Sequence, residues 1–225
     1  MARKVKRGEY TIVEPRYSAS YTLDQRYDPR PRHPPTSAIE IRDILVALAA
    51  LTVAFYLIIY GGIGKDTVYY LGLAALSVFA GFLVHELSHK FVARMYGCWA
   101  EFRADYRMLG FALITAYFGF LFAAPGAVMI SGNVDRERNG KISLAGPGSN
   151  LVVGVACLSI LFLTGVSGLA NDALSRLFTF SVFLAGFNMI PVMPFDGSKI
   201  WQWNKPVYIL TLLAAGFLFL LPYTL

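Results

Sequence analysis

Residues 68–97 read VYYLGLAALSVFAGFLVHELSHKFVARMYG. Residues 68–84 carry no charged side chain, and the whole stretch of 30 residues is longer than the roughly 20 residues that a helix needs to cross a bilayer. His85, Glu86 and His89 nevertheless lie inside this run. Ionisable side chains within a membrane span are energetically costly and usually functional. The stretch therefore predicts a transmembrane helix whose second half carries a candidate site.

The composition of the whole chain also favours a membrane protein. Of its 225 residues, 56% are hydrophobic and 15% are charged, with a mean hydropathy of +0.53. Soluble domains carry roughly a quarter charged residues. The net charge of +6 could indicate nucleic-acid binding, but basic residues at the ends of apolar spans normally set membrane topology. We therefore expect contact with the lipid bilayer and none with nucleic acid.

The apolar runs predict a membrane all-α fold, a polytopic bundle of about five transmembrane helices. The expected spans are 44–63, 68–97, 142–166, 174–194 and 207–225. Residues 1–43 are predicted to form a polar, flexible cytosolic tail, with a short extended segment near Tyr10 to Val13. Residues 44–225 then form the transmembrane domain.

A small region of β-structure is expected between the second and third spans. Apolar and charged side chains alternate along residues 99–106, which is the period of a strand. We interpret 99–122 as a membrane-associated β-hairpin or sheet, and 109–124 as no further span. If 109–124 crossed the membrane, the basic residues after it would lie outside. The positive-inside rule thus favours five spans with a cytosolic N-terminus.

The spacing of the two histidines in the second span predicts a metal site. On a helix, residues four apart share one face, so His85 and His89 can ligate one metal ion. Glu86 can reach a water at that metal as a general base. A polar cluster that only holds helices together is the alternative, but it does not require this spacing. We predict a Zn²⁺ cofactor, with Glu86 as the catalytic base.

Zinc needs a third protein ligand, with one position left for water. His33 is the only other histidine, and it lies among prolines in the tail. Asp196 follows the fourth span, where Pro191 and Pro194 could let the chain turn back toward the metal. Asn150 lies about as deep as His89, and could hydrogen-bond near the site or hold helices together.

Three motifs together resemble the site-2 protease family of intramembrane metalloproteases, over roughly residues 68–200. They are His85-Glu86-x-x-His89, Ala145-Gly146-Pro147-x-x-Asn150 and Asn188-x-x-Pro191-x-x-Pro194-x-Asp196-Gly197. Met193 and Phe195 occupy positions that are often Pro and Leu in that family.

The resemblance implies a function and a set of residues. Zinc would be held by His85, His89 and Asp196, with Glu86 activating water and Asn188 binding substrate or stabilising the oxyanion. The expected activity is hydrolysis of peptide bonds within or near transmembrane helices of membrane-protein substrates, as in regulated intramembrane proteolysis. The active site would open toward the cytosol. The family presents substrate with a membrane-associated strand, which would fit residues 99–122.

Two other functions use similar residues. A membrane metal transporter could use the histidine pair as a transient metal site, although transporters often contain internal repeats and this chain shows none. A membrane protease of the prenyl-protein type also uses H-E-x-x-H, but it would be expected to supply a glutamate ligand. No glutamate follows Glu137.

Overall fold

The computed structural model describes residues 4–7, 10–13, 36–122 and 125–221. Within these ranges the chain forms helices and four short strands. In chain order the elements are β1 (Lys4–Arg7), β2 (Tyr10–Val13), α1 (Ala38–Tyr60), α2 (Thr67–Met95), β3 (Trp99–Ala104), α3 (Tyr106–Tyr117), β4 (Gly126–Ser131), α4 (Arg136–Thr164), α5 (Gly168–Asn188), α6 (Asp196–Trp203) and α7 (Lys205–Leu220).

The first helix begins earlier in the chain than the predicted first span. Helix α1 starts at Ala38, six residues before the predicted start near 44. Ser37 starts the helix because its Oγ accepts a hydrogen bond from the Glu40 amide at 3.1 Å, which satisfies an orphan donor of the first turn. Strand β2 coincides with the extended segment predicted near Tyr10 to Val13, and residues 14–35 lie outside the described residues.

Three helices, α1, α2 and α4, are long and apolar enough to cross a membrane. They correspond to the first three predicted spans. The predicted fourth span is helical up to Asn188, and the predicted fifth span is helical from its start to Leu220. Neither helix is among those that meet the criterion of length and hydropathy. Helix α7 has 16 residues, and α5 carries Asp172 and Arg176 in its first half. The helical bundle is therefore confirmed, and five membrane spans remain a prediction.

Helices α2 and α4 form the centre of the bundle. Helix α4 packs against α2, α5 and α6, while α1 packs against α2, α3 and β3. The main hydrophobic cluster joins the apolar faces of these elements, including Leu51, Phe55, Phe82, Phe102 and Phe180. Helix α2 thus has neighbours on two sides, with α4 and α5 on one and α1 and β3 on the other.

The small sheet predicted between the second and third spans is present as two antiparallel strands, but its second strand lies beyond residues 99–122. Strand β3 pairs antiparallel with β4, in a register that runs from Trp99 opposite Ser131 to Ala104 opposite Gly126. Helix α3 follows the first strand, so most of 109–124 is helical or connects to β4. Asp105 ends the strand alternation, because its Oδ1 accepts from the amides of Arg107 and Met108 and starts α3.

Candidate metal centre

The two histidines of α2 face the interior of the bundle. His85 is 2% exposed and His89 is 7% exposed, and their ring centroids lie 4.7 Å apart. This is the arrangement expected of residues one helical turn apart. The Nε2 atoms of both rings are directed toward the start of α6.

Asp196 reaches the histidines because the chain stops being helical before it. Helix α5 ends at Asn188 and α6 begins at Asp196, so the proline-containing segment between them turns back, as the sequence suggested. Gly197 permits this turn. A Cβ at Gly197 would lie 2.8 Å from the Ile190 carbonyl oxygen, and closer still to that of Met189. Any side chain there would push Asp196 away.

The distances between the candidate ligands fit zinc. Asp196 Oδ2 lies 3.4 Å from His85 Nε2 and 3.1 Å from His89 Nε2, and one ligand atom from each residue lies within 4.8 Å of the other two. Zinc bonds of about 2.0–2.2 Å at tetrahedral angles place ligand atoms about 3.3 Å apart. Three N and O ligands leave a fourth position open, which is typical of catalytic rather than structural zinc.

The outer nitrogens of both imidazoles are held from α4. His89 Nδ1 lies 2.7 Å from the Ile142 carbonyl oxygen, which can only accept, so Nδ1 carries the proton and Nε2 is free for a metal. The Asn150 side chain is 3.2 Å from His85 Nδ1. Its Oδ1 is buried without a hydrogen-bond partner. Rotating this amide by 180° lets Oδ1 accept from Nδ1–H and leaves His85 in the same ligating tautomer.

A cavity beside these three side chains also contains the candidate base. Its lining includes the following residues: His85, Glu86, His89, Gly126, Val128, Ile130, Ser143, Asn188, Pro194, Asp196 and Lys199. Glu86 is 8% exposed, and among the described hydrogen bonds none involves its carboxylate. It is thus available to a water or substrate in the cavity. The Asn188 amide donates to the Leu184 carbonyl at 3.0 Å and has a second N–H to offer.

The structure brings together every predicted site residue that it describes. Five of them, His85, Glu86, His89, Asn188 and Asp196, line the cavity, while Asn150 lies behind His85. His33, the alternative third ligand, lies outside the described residues. The individual roles of these residues stay predictions.

Two residues of the site were not predicted as such. Gly146 was named only as part of the second motif, but a Cβ there would lie 2.6 Å from His85 Nε2 and closer to His89 Nε2. The metal site therefore requires a glycine at this position. Lys199 lies one turn after Asp196, with Nζ 3.6 Å from Asp196 Oδ1, the oxygen that faces away from the histidines. The helical spacing of Asp196 and Lys199 was the available signal.

Comparison with known proteins agrees with this donor set. The chain is 40% identical over 148 residues to a Methanocaldococcus jannaschii protein named "Putative zinc metalloprotease MJ0611", covering 60% of this chain and 72% of that protein. It is 25% identical over 162 residues to "Zinc metalloprotease MJ0392" of the same organism, of which it spans 42%. No family model matches the sequence, and no solved structure matches the chain. The chain belongs to the zinc metalloprotease family that includes MJ0611.

Proposed function

We propose that this zinc metalloprotease is an intramembrane endopeptidase of the site-2 type. Its substrates are membrane proteins, and it hydrolyses peptide bonds within or near their transmembrane helices. The lipid bilayer is the second partner that this activity requires. The alternative of a metal transporter is less well supported, because the relatives carry the name of a protease.

One observation carries the proposal: the candidate site is built on a helix of membrane-spanning length. Helix α2 has 29 residues and a mean hydropathy of 1.9 in its apolar window, and it contributes His85, Glu86 and His89. Inserting each ionisable group into the middle of a bilayer costs about 2.5 kcal/mol or more on insertion scales. A base and two metal ligands in such a segment therefore favour a function within the membrane.

The residues of the cavity offer the groups that zinc-dependent peptide hydrolysis requires. When bound, zinc supplies Lewis-acid polarisation of the scissile carbonyl and activation of water. Glu86 accepts the proton of the attacking water and then transfers it to the nitrogen of the leaving amine. Asn188 donates a hydrogen bond to the carbonyl oxygen as charge develops on it, or to the substrate backbone. His85, His89 and Asp196 hold the metal throughout.

The substrate must be extended at the cut, because helical hydrogen bonds occupy its carbonyl groups. Strand β4 supports such binding, since Gly126, Val128 and Ile130 lie along the cavity beside Glu86. An extended segment added to this strand would place its backbone next to the metal site. Residues with low helix propensity near the cut are expected to favour cleavage.

We also propose a multi-pass topology with five spans, a cytosolic N-terminus and a cavity that opens toward the cytosol. Supporting this orientation, α4 begins with Arg136, Arg138 and Lys141, and basic residues favour the cytosolic side. The site lies in the last third of α2, so it is closer to the end of the helix that would face the cytosol. Water could enter from that side.

Replacing Glu86 with Gln tests the mechanism. The full chain is reconstituted in liposomes with a tagged model substrate that has one apolar span interrupted by an Asn-Gly pair. Glu86→Gln is expected to reduce cleavage about 10²–10⁴-fold, the usual contribution of a general base, while zinc content stays unchanged. Glu137→Gln is the matched control. Its side chain is 64% exposed at the start of α4, and cleavage should not change.

Three results would contradict the proposal. Retained cleavage by Glu86→Gln would exclude this base. Cleavage of a soluble unfolded peptide with none in the membrane span would exclude intramembrane proteolysis. Zinc flux into liposomes without any proteolysis would favour the transporter.

A further inference from the structure

The outer edge of strand β3 is occupied by carboxylates of α1 instead of by another strand. The Phe102 amide donates to Glu40 Oε1 at 3.0 Å, and the Ala104 amide donates to Asp43 Oδ2 at 3.2 Å. Residues two apart on a strand point to the same edge, and residues three apart on a helix share a face. One face of α1 therefore supplies two acceptors where a third strand would supply carbonyls.

Both carboxylates are held firmly in place. Lys90 Nζ lies 2.5 Å from Glu40 Oε2, and the two residues are 6% and 1% exposed. The Tyr106 hydroxyl donates to Asp43 Oδ1 at 2.7 Å, and this hydrogen bond raises the pKa of Tyr106. Lys90 is the residue after His89, so the helix that carries the metal ligands also holds the edge of the sheet.

This arrangement determines which edge of the sheet is open. Since the Phe102 and Ala104 amides point toward α1, the backbone groups of their partners Val128 and Gly126 point away from β3, toward the other edge. Within the described part of the chain, β4 pairs only with β3. Gly126, Val128 and Ile130 line the cavity with Glu86. The open edge of the sheet is therefore the one beside the candidate base.

We propose that Glu40 and Asp43 are substrate-positioning residues, whose carboxylates close the β3 edge and hold β4 as the edge on which an extended substrate segment pairs. This inference rests on the proposed proteolysis. It assigns α1 a part in substrate binding, although α1 contributes no residue to the cavity. The two carboxylates touch neither the substrate nor the metal and act through β3.

A purely structural role for these carboxylates makes a different prediction. If they only stabilise the bundle, their loss should lower thermal stability and the active fraction, which changes kcat and zinc content but leaves KM unchanged. If they position the sheet, their loss should weaken substrate binding before it affects the chemistry. The ratio of the effects on KM and kcat distinguishes the two roles.

The experiment compares variants of the full chain in liposomes, with the same interrupted-span model substrate. Asp43→Ala removes the acceptor of the Ala104 amide and is expected to raise KM about tenfold, the scale of one lost charge-assisted hydrogen bond, with kcat and zinc content unchanged. Arg42→Gln is the matched control. Arg42 contacts the same carboxylate but not β3, and its 62% exposed side chain should be dispensable.

Asp43→Asn is the milder variant. The Ala104 amide and the Tyr106 hydroxyl donate to different oxygens of Asp43, and Asn has an oxygen at only one of these positions. A neutral acceptor also forms weaker hydrogen bonds than a carboxylate, so we expect KM to rise about threefold. If Asp43→Ala loses zinc, the KM of Asp43→Asn distinguishes the positioning role from the structural role.

An unchanged KM in Asp43→Asn, or an equal rise in Arg42→Gln, would overturn the positioning role. Failure of the wild-type chain to cut the model substrate would instead overturn the proposed function.

Discussion

Two buried polar clusters lie on different faces of helix α2 and include adjacent residues, His89 and Lys90. On one side, Lys90 meets Glu40 within 2.5 Å, and the carboxylate also accepts the Phe102 amide. On the other side, His85 and His89 both direct Nε2 at one oxygen of Asp196. In the first cluster the cation is a side chain of the protein, Lys90. The Glu40 carboxylate is therefore paired within the chain.

The second cluster is open. Three ligand atoms converge on one point, and Glu86 faces the cavity without a described hydrogen bond. Two imidazole nitrogens and one carboxylate oxygen at these distances form a donor set that fits a zinc ion. The difference teaches that burial and charge alone do not identify a functional site. A closed cluster around Lys90 is expected to position structure, and an open one around Asp196 is expected to perform chemistry.

The largest effect should come from removing a ligand of the open cluster. Asp196→Ala leaves two histidines, and we expect the purified protein to lose essentially all of its zinc, because three protein ligands are needed for a catalytic site. His33→Ala is the control and should retain full metal content by elemental analysis. Zinc loss in His33→Ala, or full zinc in Asp196→Ala, would assign the third ligand differently.

Gly146 tests how closely the open cluster is packed. Gly146→Ala places a methyl group against both Nε2 atoms. It should lower zinc affinity by at least about 10-fold to 100-fold, which is the usual loss when a residue that holds a metal ligand is replaced. Gly148→Ala is the matched control two residues away, since a Cβ there has no neighbour within 4 Å. Zinc titration of both proteins measures the effect. Equal affinities would show that α4 can move away from the histidines.

A smaller effect is expected at Asn150, which orients His85 without reaching the metal. Asn150→Ala should lower zinc affinity about 10-fold to 100-fold, the usual effect of losing a partner of a ligating histidine. Asn150→Asp keeps an acceptor for Nδ1–H and should recover most of this affinity. Chelator competition at fixed pH measures both. Should the alanine variant bind zinc as tightly as the wild type, Asn150 would only hold helices together.

The helices were largely predictable because apolar runs must be helical to satisfy their backbone in a bilayer. Helix α1 starts before the apolar run that predicted it, and its first turns carry Glu40 and Asp43. They are buried only because Lys90 and the amides of β3 lie opposite them. The second strand was also misplaced. Alternation marks a strand but does not say which segment pairs with it, and β4 lies more than 20 residues further along the chain.

The sequence by itself determined a candidate donor set for zinc. The spacing of His85, Glu86 and His89 predicts a zinc-binding face on one helix, and the apolar residues around them predict that this helix is long and apolar enough to cross a membrane, because both follow from local periodicity and composition. Only the tertiary structure decided the rest. It brought Asp196 to the histidines, showed that Gly146 must lack a side chain, and turned Glu40 and Asp43 toward β3. Each of these depends on distances between segments far apart in the chain, which no local pattern encodes.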